Sequence, residues 1–169
     1  MNKQEPIRLD QFDNSNFDRG AGRLTELLWM MIKALFFQFH FPLPSRLRCT
    51  LLRCFGAKIG KTVVIRSGVN ITYPWRLEIG DHCWIGEDVF ILSLATVKID
   101  NHTCISQRAF ICTGSHDFSQ PTFDLVTLPI SIGAHCWIAA MAFVAPGTTI
   151  PPNTMVRAGE TVSLKRFSN

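Results

Sequence analysis

The stretch Ile79-Gly-Asp-His-Cys-Trp-Ile85-Gly-Glu-Asp-Val-Phe-Ile91 decides the fold, because isoleucine returns at every sixth residue. Neither an α-helix nor a simple amphipathic strand has that period. The step is kept at Ile59, Ile65 and Ile71, at Ile99, Ile105 and Ile111, at Ile132, Ile138 and Val144, and at Ile150 and Val156. Four places after each aliphatic the residue is small or β-branched, as at Cys83, Val89, Thr103, Ala109, Ser115 and Ala142; only Trp75 and Glu160 depart. This period predicts a solenoid of triangular cross-section, one hexad per side, with the aliphatic side chain turned inward. Grouped in threes, the hexads give coils beginning at Ile59, Ile79, Ile99, Ile132 and Ile150, the first three twenty residues apart. Each of those holds three hexads and a two-residue step at one corner. Five coils at strand spacing make a prism roughly 24 Å tall.

The chain of 169 residues is long enough for one domain with a short appendage. Its charge is unevenly placed. Residues 59–169 carry eight basic and eight acidic side chains, whereas the first 58 carry nine basic and five acidic and so hold the whole excess of +4. A nucleic-acid groove needs cations clustered on the folded body, so that class of partner is not expected. The six cysteines form no CxxC pair, and Cys83 and Cys136 fall in the small inward slot. They read as buried free thiols of a reducing compartment rather than as disulfides or metal ligands. Met1–Arg19 is polar and lacks the apolar run of a signal peptide, which points to the cytoplasm.

Residues 1–20 read as an extended polar arm and residues 21–58 as a helical segment. Leu24–Phe41 is strongly apolar but interrupted by Glu26 and Lys33, too short between charges for a membrane span. Pro42 and Pro44 end it, and a second helix is expected over Ser45–Phe55, where Arg46, Arg48 and Arg53 alternate with leucines. Two roles stay open for residues 24–55. They cap the base of the solenoid, which otherwise exposes strand edges, or they lie on an anionic membrane surface at the inner face of the membrane.

The solenoid occupies residues 59–162, leaving a tail over 163–169. Between Ile111 and Ile132 there are fifteen residues beyond a hexad step, with loop 117–129 at their heart. Excursions of this size from a regular solenoid are usually functional. His116 stands at the root of that loop, five after Ile111, so its side chain should point outward, in one column with Thr96 and Thr149. An outward imidazole beside a loop is placed to act as a general base. Asp117 and Asp124 are candidates for orienting it, and equally for solvated loop carboxylates. His82, His102 and His135 share another column; a straight ladder surrounds a metal ion poorly, so they read as exposed corner residues and no metal is expected. Phe90, Phe110 and Phe143 form an outward apolar column beside Trp84 and Trp137, which calls for a partner or for cover by the helices.

The hexads, together with Thr113-Gly-Ser-His-Asp117, Ile132-Gly-Ala-His-Cys-Trp-Ile138 and Val144-Ala-Pro-Gly147, resemble the hexapeptide-repeat acyltransferases. Asn14–Gly20, Leu27–Phe37, Pro44–Gly60 and Ile71-Thr-Tyr-Pro-Trp75 resemble the colanic acid biosynthesis acetyltransferases within that family. The resemblance spans about residues 10–160. It implies a mainly β fold, a left-handed parallel β-helix, which is an exception to the usual right-handed crossover. It also implies a homotrimer with active sites between subunits and transfer of acetyl from acetyl-CoA to a sugar hydroxyl of an exopolysaccharide precursor. His116 is then the base, and the acceptor is a sugar or lipid-linked oligosaccharide. By position, coenzyme A lies against Trp137, Ala140, Ala158, Ser163 and Lys165, and the acceptor near Ser93 and Asp124. Ser93 stands where many relatives have asparagine. Two other readings are a non-catalytic scaffold in a biosynthetic complex and an acetyltransferase for a small soluble sugar.

Overall fold

The computed structural model describes residues 5–38 and 43–164. Its body is a parallel β-helix of five coils, in which strands of two or three residues stack into three five-stranded parallel sheets, one per side of the prism. Face A carries Ile59, Ile79, Ile99, Ile132 and Ile150 in register. Face B carries Ile65, Ile85, Ile105, Ile138 and Val156, and face C carries Ile71, Ile91, Ile111, Val144 and Val162. Of the fourteen aliphatic positions quoted from the sequence, all but Ile59 are buried.

The corners explain the rest of the hexad. The third residue after the aliphatic takes a left-handed backbone along face after face, at Thr62, His82, His102, His135 and Asn153, and again at Gly68, Asp88, Arg108, Met141 and Gly159. His82, His102 and His135 are thus exposed corner residues, stacked at 4.9 and 5.0 Å. Among the described residues no group of His, Cys, Asp or Glu is arranged to hold a metal ion. The residue just after the aliphatic must be small where coils come closest. A Cβ on Gly133 would lie 2.6 Å from the Pro152 nitrogen, and one on Gly86 2.8 Å from the Gln107 nitrogen.

The C-to-A corner departs from the expected register. There the inward slot lies two residues after the aliphatic, at Tyr73, Ser93 and Thr113, while Leu77, Val97 and Ile130 fill the extra step. Ser115, expected inward, is exposed because the chain has already left the prism at Gly114.

Helix α1 (Arg23–Lys33), a π-helical turn over Ala34–Gln38, and helix α2 (Ser45–Cys54) close the base. Pro42, expected to end the first helix, lies outside the described residues. Trp29, Phe37, Cys49 and Leu52 join the solenoid core. The polar edge of the first coil is satisfied from the same helices. The Trp29 indole donates to the carbonyls of Ile71 and Thr72 at 3.1 Å each. The Ser45 hydroxyl accepts the Ile65 N–H at 2.7 Å, and Gly68 N–H donates to Phe37 O at 2.9 Å. Buried Arg48 donates to the carbonyls of Phe36, Leu43 and Ile65, tying turn, loop and strand together. These helices thus meet amides and carbonyls of the first coil that an open coil end would leave without partners.

The arm is not free. Trp75 donates to Arg19 O at 2.7 Å, Arg76 donates to Asp18 O and its guanidinium lies 5.4 Å from the Phe17 ring, and Arg8 N–H donates to Pro121 O at 2.7 Å. It climbs the C-to-A edge from the first coil to the excursion.

Candidate active site

The excursion is a β-hairpin. Gly114–His116 pairs antiparallel with Leu125–Thr127, with His116 opposite Leu125. Leu128 N–H closes its root on Thr113 O at 2.9 Å, and Asp117 N–H closes its tip on Asp124 O at 2.8 Å. His116 is accordingly on the hairpin arm rather than at a loop root. The column expected with Thr96 and Thr149 does not form: Ile130 stands on Val97, and Thr149 on Ser131. The side chain is nonetheless exposed, off the prism, as an outward base requires.

The geometry around the imidazole is specific. Its Nδ1 lies 2.8 Å from the carbonyl oxygen of Phe123. A carbonyl only accepts, so Nδ1 carries the hydrogen and neutral His116 presents its lone pair at Nε2. The ring lies parallel to Phe123, with centroids 4.3 Å apart and planes 2° apart, and makes an edge-to-face contact with Phe12, centroids 5.5 Å apart. Phe123 adopts a left-handed φ of 52°, rare for a bulky side chain. That conformation belongs to the tip whose carbonyl reaches Nδ1.

Neither expected carboxylate holds the imidazole. The Asp117 carboxylate accepts from the Ser119 hydroxyl at 2.6 Å and the Ser119 N–H at 2.8 Å, a local turn that also holds its pKa below the ordinary range. Asp124 is exposed and contributes its main-chain carbonyl to the hairpin. Ser93 is corrected more strongly. It is 0% exposed, and its hydroxyl accepts Tyr73 N–H at 2.9 Å and donates to Tyr73 O at 3.0 Å. The inward slot of this corner buries it as a strut between two coils.

On the upper coils, Ala140 and Ala158 stack at the B-to-C corner, where Gly159 N–H donates to Ala140 O at 2.9 Å. Neither carries a side chain beyond Cβ, so the corner is open to a slender ligand. A shallow groove of about 390 Å³ borders Ala140, with Arg108, Gln107 and Met141 in its wall. Trp137 is half-exposed on the adjoining face B and donates to Ser106 Oγ at 2.8 Å, while Ser163 is exposed at the end of face C. Lys165 lies outside the described residues.

No family model matches the chain. A protein of Escherichia coli (strain K12) named for colanic acid biosynthesis as an acetyltransferase, WcaF, is 46% identical over 144 residues, covering 85% of this chain and 79% of WcaF. The chain belongs to the hexapeptide-repeat acetyltransferase family. A maltose O-acetyltransferase from Clostridium difficile 630 has the same fold, with a TM-score of 0.75 at 19% identity over 84% of this chain and 79% of its own. A hexapeptide-repeat acetyltransferase of Vibrio cholerae, solved with acetyl coenzyme A, also gives 0.75 at 21% identity over 91% of this chain and 85% of its own. The mainly β, left-handed parallel β-helix with two amino-terminal helices is thus the family fold. Two features of the site carried no sequence signal. A main-chain carbonyl is the same in every residue, and Phe12 is distant in sequence; phenylalanines on either side of an exposed histidine are the one hint.

Proposed function

We propose that the chain transfers acetyl from acetyl-CoA to a sugar hydroxyl of an exopolysaccharide precursor of the colanic-acid type, with His116 as general base. The Nδ1 contact to Phe123 O carries this reading, because it reserves Nε2 for the substrate. Nε2 takes the hydroxyl proton as the sugar oxygen bonds to the thioester carbonyl carbon. The C–S bond then breaks, and the imidazolium returns the proton to the coenzyme A thiolate. The Phe123 carbonyl, accepting from Nδ1–H throughout, favours the transient cation. Coenzyme A runs along the last coils, past Trp137, the Ala140–Ala158 corner and Ser163. The molecule is a homotrimer whose clefts bring a neighbour's surface to His116; half-exposed Trp84 and Trp137 suit such a contact.

The acceptor is held at a membrane, and α1 is the contact. Leu24, Leu27, Leu28, Met31 and Leu35 form one stripe, each between 47 and 72% exposed, on the part of the chain that carries the positive excess. Among the described residues no helix is long and apolar enough to cross a membrane, so the contact is peripheral. Mass spectrometry of lipid-linked sugar extracts incubated with the protein and acetyl-CoA tests the reaction. The expected product is a sugar bearing one added acetyl ester; thiol release with no acetylated sugar would contradict it. Flotation with phosphatidylglycerol-containing vesicles tests the contact, with binding expected for the wild type and lost in a Leu27→Gln, Met31→Gln double variant.

A further inference from the structure

The amino-terminal arm has no part in the solenoid core, yet it is tied at both ends. Near the first coil it is held by Trp75 and Arg76 through the carbonyls of Arg19 and Asp18. Gly20 fits against Trp75 with a left-handed φ of 75°, where a Cβ would approach the indole nitrogen to 3.1 Å. At the other end Arg8 N–H is bonded to Pro121 O, on the hairpin tip. Between these anchors Phe12 places its ring against His116 with centroids 5.5 Å apart and planes at 61°.

A lone two-stranded hairpin is marginal in water, and this one projects from its prism. Its imidazole can turn about the Cβ–Cγ bond, which would put Cδ2 in the place of Nδ1, break the bond to Phe123 and release the tautomer that bond fixes. The parallel Phe123 ring belongs to the same hairpin and moves with it. Phe12 sits on the arm, which is bonded to the hairpin tip at Arg8 and to the first coil at Asp18 and Arg19, and so ties the imidazole to the rigid solenoid. Edge-to-face contacts of this kind favour one ring orientation over the other.

We infer that the arm is part of the active site and that Phe12 is a positioning residue, which holds His116 in the Nδ1–H tautomer with Nε2 toward the substrate. The inference rests on His116 being the base, and the experiment separates the two. The full-length protein is labelled with ¹⁵N-histidine, and the His116 nitrogens are assigned by their loss in His116→Gln. The wild type should show two widely separated nitrogen shifts, the pattern of one tautomer. In Phe12→Ala they should converge toward the average of two, with the unfolding temperature unchanged and Phe12→Tyr restoring the separation. With the lipid-linked sugar extract as acceptor, Phe12→Ala should lower kcat about tenfold and leave the KM for acetyl-CoA as it was, as misplacement of one reacting group does. Unchanged nitrogen shifts in a folded Phe12→Ala protein would overturn the inference. If Phe12→Ala proves unstable, Phe12→Leu keeps the bulk without the ring edge, and the same convergence is required of it. Convergence with full activity in His116→Ala would leave the positioning intact and remove the base.

Discussion

Phe123 turns its backbone through the left-handed region, and the hairpin tip delivers its carbonyl to the imidazole. That one contact moves the orienting role from a side chain to the main chain, with a testable consequence. Asp117→Asn keeps an oxygen for Ser119 N–H and removes the charge, so acetyl transfer should stay within a few fold of wild type in a steady-state assay. A loss near the 10⁴-fold known for removing an imidazole-orienting carboxylate would show that Asp117 holds the ring. The pH behaviour follows from the direction of its shift. The Ser119 hydroxyl and N–H lower the Asp117 pKa, so the turn is fully formed above the ordinary carboxylate range and is lost as pH falls through the lowered value. Ser93 makes the opposite case. Ser93→Ala leaves the buried Tyr73 N–H without its partner, while Tyr73 O still accepts from Arg76 N–H; this should cost about 1–3 kcal/mol in urea unfolding and leave kcat/KM unchanged. A fall in kcat/KM without lost stability would restore the acceptor role.

At the scale of the element, the hexad is legible because two constraints repeat. An inward aliphatic fills the prism, and a small residue beside it lets the next coil approach. Gly133 shows the second constraint at its tightest, against the Pro152 backbone. Gly133→Ala should destabilise the solenoid by about 1–3 kcal/mol in chemical denaturation, the range for overpacking a closed interior, and an unchanged midpoint would show the coils able to part. The C-to-A corner was less legible. Its extra step shows in the twenty-residue spacing of the coils, but the spacing does not show that the step moves the inward slot from the fourth to the second place after the aliphatic. The excursion was visible as surplus length, but its hairpin was not, since Gly114–His116 and Leu125–Thr127 pair through main-chain groups across a tip of eight residues. The two helices were visible as apolar runs. Their contacts with the first coil, Trp29 and Arg48 above all, depend on tertiary placement that no local pattern encodes.

For the whole molecule, the parts converge on one edge of the prism. The arm climbs it, the hairpin leaves from it, and the base-capping helix α1 lies where the arm begins. A sequence read by period places the edge; it does not show that the arm and hairpin meet there, because Arg8 and Pro121 are more than a hundred residues apart. The account predicts that the edge works as a unit around one imidazole. The most direct measurement is the rate of coenzyme A thiol release in the presence of lipid-linked sugar extract, wild type against His116→Ala. Loss of a general base should reduce the rate by about 10²–10⁴-fold, with the unfolding midpoint unchanged. A folded His116→Ala protein that releases thiol as fast as the wild type would contradict the account.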